Sequence, residues 1–430
     1  MINLPNHQKL SSLSRNSECS GIRLKYGVEL VNNRAETIFN YVGLENVESW
    51  KGKLVQSDNL SSEEDAATAN RFYSENVLFG KLRPYLAKVF VAQQDGCCTS
   101  ELLVLRPVKY YANYLKYLIL NPDFINLVNS STYGAKMPRA SWDFIGNIFL
   151  PTPPIETQKL IATFLDRKTA AIDTLIAKKQ RLIQLLEEKC KVLINQAVTK
   201  GSNPNVPMKD SGIPWIGKVP KHWAVLRLRH LISDKVAGPY GSSLTKSMYV
   251  AFGYRVYGQQ QIIADDFTIG DYYISPEKFF EMQRYIVQPE DVLVTVMGTI
   301  GRVAVVPEGI EAGIINPRLV RYVVRHGYML PYFFSWVFRS KSGESQLSEM
   351  AQGVTMDGLN LTVLSDLWMP VPPLEEQENI VVNINTVTNS LKQLQRKINQ
   401  QIEKLREYRR SLITAAVTGK LNIKEVETNV

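Results

Sequence analysis

The chain has 430 residues, with 50 Lys+Arg against 41 Asp+Glu for a formal net charge of +9, and 45% hydrophobic against 21% charged residues. At roughly 150 residues per domain this length predicts two or three domains, and the composition excludes a wholly disordered or collagen-like chain. No apolar run approaches the ~18 residues of a membrane span and the polar opening residues 1–10 are no signal peptide, so a soluble, cytoplasmic protein without membrane association is expected.

In chain order, residues 1–150 form a first globular domain, strand-rich, with a short helix over 111–120. Residues 151–205 open on Pro151, Pro153 and Pro154, which suit neither a strand interior nor mid-helix. A long helix follows, its seam assigned to Ile172, Leu175, Leu182, Leu186 and Leu193, with Ile176, Ile183, Cys190 and Ala197 widening the stripe. Residues 206–370 form a second globular domain, with β-branched runs at 291–297, 301–306 and 319–324 and a helix over 331–341. Residues 371–430 give a second long helix, with its seam at Leu391, Leu394, Ile398, Leu405 and Leu412.

The chain is written twice. Pro151-Thr-Pro-Pro-Ile-Glu-Thr-Gln158 returns as Pro370-Val-Pro-Pro-Leu-Glu-Glu-Gln377, and between 151 and 199 the residues at a shift of 219 are identical at 17 of 49 positions, where average composition gives roughly three. Upstream the repeat is fainter: Asn76-Val-Leu78 faces Asp291-Val-Leu293, Tyr41-Val-Gly43 faces Val256-Tyr-Gly258, and Gly134-Ala-Lys-Met137 faces Gly353-Val-Thr-Met356. Two duplicated helices in one chain pack most naturally about a pseudo-two-fold axis, hence antiparallel. The expected fold class is therefore α+β: two tandem α+β domains separated by two long helices that form an antiparallel coiled coil.

Charge resolves into modest excesses: +2 over residues 1–150, +4 over 151–205, +1 over 206–370 and +2 over 371–430. A nucleic-acid partner would therefore meet dispersed side chains on folded surfaces, and the isolated chain is expected to bind DNA weakly. Cys19, Cys97, Cys98 and Cys190 fit buried free thiols better than a disulfide framework or a zinc site. With four histidines and no metal spacing or phosphate-binding loop, catalysis by this chain is not expected. Gly298-Thr-Ile-Gly301 reads as a hairpin turn, Asn121-Pro-Asp-Phe124 as a helix ending at a proline, and Asp166-Arg-Lys168 and Glu187-Glu-Lys189 as charge alternation on a helix.

The paired proline segments with their long helices, together with Asn76-Val-Leu-Phe-Gly-Lys-Leu-Arg-Pro-Tyr85, Lys209-Asp-Ser-Gly-Ile-Pro-Trp-Ile-Gly217, Pro220-Lys-His-Trp223 and Gly238-Pro-Tyr-Gly-Ser-Ser-Leu-Thr-Lys246, resemble the specificity subunit of type I restriction-modification enzymes over essentially the whole chain. The first half departs from the pattern at its start, with no clear counterpart of Pro220-Lys-His-Trp223 before Gly21. The resemblance implies that each globular domain is a target-recognition domain reading one half of a bipartite, asymmetric site in double-stranded DNA. It implies that the helix pair sets the half-site spacing and docks two modification (methyltransferase) subunits, with restriction subunits completing the enzyme. It implies no cofactor in this chain; S-adenosylmethionine, ATP and magnesium belong to the partner subunits.

Side-chain type and loop position then single out candidate DNA contacts. In the first domain these are Lys81, Arg83, Tyr85 and Lys88, with Lys136 and Arg139 before the first long helix. In the second they are Tyr240, Ser242, Ser243 and Lys246, then Gln259, Gln260 and Gln261, then Arg302 and Arg318. Gln can pair bidentately with adenine and Arg with guanine in the major groove, whereas Lys and Ser suit phosphates. The competing reading is a scaffold whose coiled coil assembles a complex without reading DNA; salt-insensitive binding would favour it.

Overall fold

The structure is a computed structural model and describes residues 21–55, 69–352 and 361–421. The chain before Gly21, Cys19 included, and the 353–356 side of one repeat match lie outside these residues. The fold divides into two compact units, residues 1–180 with 399–430 and residues 181–398.

The first unit is built on a four-stranded antiparallel sheet in the order Val28–Val31, Leu102–Pro107, Val77–Gly80, Val89–Val91. Every residue of Val77–Gly80 is buried. Both faces of that strand are covered, so it reads as an unbroken apolar run instead of an alternation. Helices Ala112–Ile119 and Pro122–Ser130 pack Tyr114, Leu118 and Phe124 against Val77, Phe79 and Leu105 on one face. On the other, Leu78, Phe90 and Val104 meet Val42, Phe72 and Cys98 of a mixed sheet ordered Tyr41–Val42, Gly96–Cys98, Asn70–Phe72. Cys97 and Cys98 are buried free thiols, and burial pushes the Cys98 thiol up to about 12. The helix Ala112–Ile119 ends just before Pro122 as the sequence suggested, and Asn121 adds a second role: its Oδ1 accepts from Asp123 N at 3.1 Å and caps a helix whose first residue is Pro122. Proline is at home there because the first-turn N–H has no helical partner anyway.

The second unit repeats the plan with the order Ile232–Ala237, Leu319–Val324, Val292–Thr295, Val303–Val305. Its mixed sheet runs Tyr273–Ile274, Tyr254–Tyr257, Gly313–Ile315 and again contains a parallel pair. The helix expected over 331–341 is Pro331–Arg339. Gly298 and Gly301 sit in the hairpin between Val292–Thr295 and Val303–Val305 with φ of 69° and 81°. The likeness extends to single bonds. Glu75 and Glu290 are both left-handed, at φ 66° and 69°. The buried Asn76 and Asp291 that follow accept from Tyr73 N at 2.9 Å and Gln288 N at 2.8 Å.

The long helices are Ile155–Lys200 and Leu374–Val417. In the first unit, Ile161, Leu165 and Ile172 pack with Leu412, Ile413 and Ala416. Asp173 meets Arg409 at 3.0 Å and Lys179 Nζ donates to Gln401 at 2.6 Å, so numbers rise on one helix as they fall on the other. The second unit shows the same antiparallel sense, with Val198 beside Ile380 and Ile384 and Gln395 Nε2 donating to Glu187 at 3.2 Å.

The seam lies to one side of where the sequence placed it. Ile172, Ile398 and Leu412 are buried, and Leu186, Leu391 and Leu405 are half-buried. Leu175, Leu182, Leu193 and Leu394 are instead exposed, by 43%, 44%, 37% and 42%. On the first helix the covered positions are Ile172, Ile176, Lys179, Ile183, Leu186, Cys190 and Ile194. The apolar stripe is wider than the contact. At 100° per residue its leucine flank, with Leu185 and Val192, turns to solvent.

Candidate nucleic-acid interface

Several of the candidate contacts fall at one end of the inner strands of the central sheet in each unit, and that end is made by the same backbone scaffold twice. In the first domain Thr99 N donates to Val42 O at 3.1 Å, Leu102 N to Thr99 O at 3.0 Å, and Lys81 N to Glu101 O at 3.0 Å. In the second, Asn316 N donates to Tyr257 O at 2.9 Å, Leu319 N to Asn316 O at 3.2 Å, and Val296 N to Arg318 O at 3.0 Å. The Thr99 hydroxyl accepts from Glu101 N at 3.4 Å as Asn316 Oδ1 accepts from Arg318 N at 3.0 Å. Backbone geometry is thus shared while the presented side chain changes from carboxylate to guanidinium.

In the first domain the structure brings the two predicted groups together. Residue 82 bridges residue 139, and Arg83 N donates to Pro138 O at 2.8 Å, so the loop carrying Lys81, Arg83 and Tyr85 lies against the one carrying Lys136 and Arg139. Arg83, Tyr85 and Lys136 are exposed, and Arg83 is held left-handed at φ 49° before the turn Pro84–Leu86. Arg139 is tied to Glu101, with Nε and Nη2 donating at 3.0–3.1 Å. Lys88 corrects the sequence reading: its Nζ points inward and donates to Leu44 O at 2.5 Å, and burial lowers its pKa, opposed by Glu45.

In the second domain Tyr240, Ser242, Ser243, Lys246, Gln260, Arg302 and Arg318 are exposed. Gly238 lets its loop approach this strand end, since a Cβ there would stand 1.9 Å from Asn316 O. The three glutamines do different jobs. Gln260 is exposed with its amide beside Gly270, whereas Gln261 is buried, its Oε1 accepting from Gly258 N at 2.8 Å and its Nε2 donating to Ile269 O at 3.0 Å. Gln261 is therefore a structural cap and not a base reader. Gln259 Nε2 donates to Met297 O while its Oε1 accepts from Arg318 Nη1 at 3.2 Å. Tyr249, tilted by 32° against Tyr272 with ring centres 5.0 Å apart, borders the same corner: burial raises its phenol pKa and the Arg318 charge opposes this.

Sequence reasoning missed why the proline segments repeat. Gln158, fully buried, accepts from Tyr111 N at 2.7 Å and donates to Lys109 O at 3.1 Å and Pro153 O at 2.8 Å. Gln377 makes the same three bonds, from Leu330 N at 2.9 Å and to Tyr328 O at 2.8 Å and Pro372 O at 2.9 Å. Each glutamine clamps the start of a long helix to the start of a domain helix. The identity of Gln at a shift of 219 was the available signal. Asp166, read as helix charge alternation, likewise accepts from Lys116 Nζ at 3.0 Å and Tyr117 OH at 2.7 Å. In the second unit Glu376 takes Trp223 Nε1 at 3.0 Å, which explains the buried Trp of Pro220-Lys-His-Trp223.

The family model for the type I restriction modification DNA specificity domain matches residues 41–185 and 267–404, one stretch in each half. The chain belongs to this family. Among curated members of the DNA specificity family, it is 24% identical to the specificity subunit of the type I restriction enzyme EcoBI of Escherichia coli, across 81% of this chain and 74% of that one. It is also 24% identical to the MjaVIII specificity subunit of Methanocaldococcus jannaschii, across 73% and 71%. The fold matches a chain from the structure describing complex assembly and conformational transition of the type I R-M system, with a TM-score of 0.75 at 19% identity over 94% of this chain and 99% of that one. The HsdS subunit from Thermoanaerobacter tengcongensis matches with a TM-score of 0.56 at 20% identity over 94% and 98%. Among the described residues no helix is long and apolar enough to cross a membrane.

Proposed function

We propose that this specificity-family chain reads a bipartite site in double-stranded DNA, each globular domain taking one half, and directs partner subunits to it without performing chemistry itself. The observation that carries this is the inner-strand end of the central sheet in the two domains, where the same backbone bonds hold unlike polar side chains, Glu101 in one and Arg318 in the other. A duplicated scaffold with differing tips suits two readers of two different sequences. Exchanging residues 206–370 for those of another family member should change one half of the sequence selected from randomised duplexes and leave the other half intact. Loss or change of both halves would defeat independent readers, and salt-insensitive binding would favour the scaffold reading.

The partners we propose are two modification subunits, with restriction subunits joining them; S-adenosylmethionine, ATP and magnesium belong to those proteins. In the second unit the first long helix exposes Leu182, Leu185, Val192 and Leu193 on one face. Such a stripe suits docking of another protein. Leu182→Glu with Leu185→Glu is expected to cut co-purification of the modification subunit at least tenfold, while the chain's melting changes by no more than ~0.5 kcal/mol, as for surface substitutions. Undiminished co-purification would remove this face from the docking surface.

A further inference from the structure

Within the reading just given, the corner formed by the 316–318 turn and Gln259 carries a more specific assignment. Arg318 is anchored at both ends: its N–H is capped by Asn316 Oδ1 at 3.0 Å, its carbonyl accepts from Val296 N at 3.0 Å, and its guanidinium is held by Gln259 Oε1 at 3.2 Å. Gln259 is itself fixed by donating to Met297 O.

Five other arginines of the second domain are consumed by carboxylates, whereas among the described residues exposed Arg302, like Arg318, is not, but of these two only Arg318 has its guanidinium held by a side-chain amide. Arg227 and Arg229 share Asp366, Arg255 meets Glu311, Arg321 meets Asp234 and Asp291, and Arg339 meets Asp265. Among the described residues no carboxylate pairs with Arg318. A neutral amide orients the exposed guanidinium and uses one of its five N–H donors, leaving the charge undiminished. Bidentate pairing with guanine O6 and N7 needs such an alignment; a phosphate can also accept a guanidinium fork but carries no sequence information, and loss of preference at a single base pair separates the two.

We propose that Arg318 is a specificity-determining residue of the second domain, reading a guanine in the major groove, and that Gln259 is a positioning residue that aims it. The first domain fills the same backbone position with Glu101, whose carboxylate engages Arg139, so the two domains present different chemistry at the same place.

The test is selection of duplexes from a randomised double-stranded library by the full-length chain in complex with its modification subunits, since the isolated chain is expected to bind weakly, followed by sequencing. The unaltered chain should select a bipartite motif with a guanine in one half. In Arg318→Ala the preference at that one base pair should fall roughly 5- to 150-fold, the worth of a bidentate base contact, with the other half of the motif unchanged as proof of folding. Arg318→Lys, which keeps the charge but not the fork, should lose the same preference. Gln259→Leu, which places in the second domain the residue type of Leu44, should weaken preference at the same base pair and no other. An unchanged motif in Arg318→Ala, or full retention in Arg318→Lys, overturns the assignment while leaving the DNA-reading function standing. Failure of the unaltered chain to select any motif overturns both.

Discussion

A chain ended at Lys404 is expected to lose its first globular domain and keep its second. The final turns of Leu374–Val417 are part of the first unit's core, where Leu412, Ile413 and Val417 are 8%, 1% and 2% exposed. At about 1.5–3 kcal/mol for each buried aliphatic side chain, their removal forfeits roughly 4–9 kcal/mol. Arg409 goes with them; it pairs with Asp173 at 3.0 Å and donates to Trp50 O at 2.8 Å. The same cut uncovers Asp173 to solvent, so the lost burial dominates, and it rivals the ~5–15 kcal/mol stability of a whole domain. Limited proteolysis read by mass spectrometry should show the stretch up to residue 180 digested and residues 181–398 protected. Equal protection of both would show that the first domain stands without its borrowed helix end.

Gln377→Ala should destabilise the second unit by about 3–5 kcal/mol, as much as loss of a large core side chain. The substitution strips Leu330 N–H, Tyr328 O and Pro372 O of a partner in a place without solvent, because Gln377 is 0% exposed. An unsatisfied buried group costs about 1–3 kcal/mol each. Gln158→Ala should do the same to the first unit. Thermal or denaturant unfolding followed separately in the two units should show each variant lowering only its own transition. A change within ~0.5 kcal/mol would mean that the clamp is replaceable by water or by local rearrangement.

The architecture was legible because duplication survives in sequence where geometry is least forgiving. The gapless match from 151 to 199 marks helices whose starts are clamped by Gln158 and Gln377, and the 319–324 strand and the 112–119 helix were evident from β-branched and amphipathic runs. The seam was not fully legible: Leu175, Leu182 and Leu193 belong to an apolar stripe broader than one helix contact, and periodicity alone does not say which flank is covered. The candidate interface was legible as loops but not as roles. Lys88, Gln259 and Gln261 differ from Lys81, Gln260 and Arg318 only in which backbone groups fold back onto them, as Leu44 O does onto Lys88 and Gly258 N onto Gln261. The Lys88 bond spans 44 residues and the Gln261 bond only three, and composition carries no trace of either.

That the first unit closes with residues 399–430 also orders events at the ribosome. The opening stretch ends at Gln180, and synthesis must pass through all of the second unit before Asn399 appears. At about 5–20 residues per second this is an interval on the order of 10–40 s. The domain made first is therefore finished last, with the apolar patch that awaits Leu412, Ile413 and Val417 uncovered in the meantime. The second unit, whose residues emerge in one run, can close as soon as it is made. Demand for chaperones should fall on the amino-terminal half of the nascent chain and end only when its last helix is released.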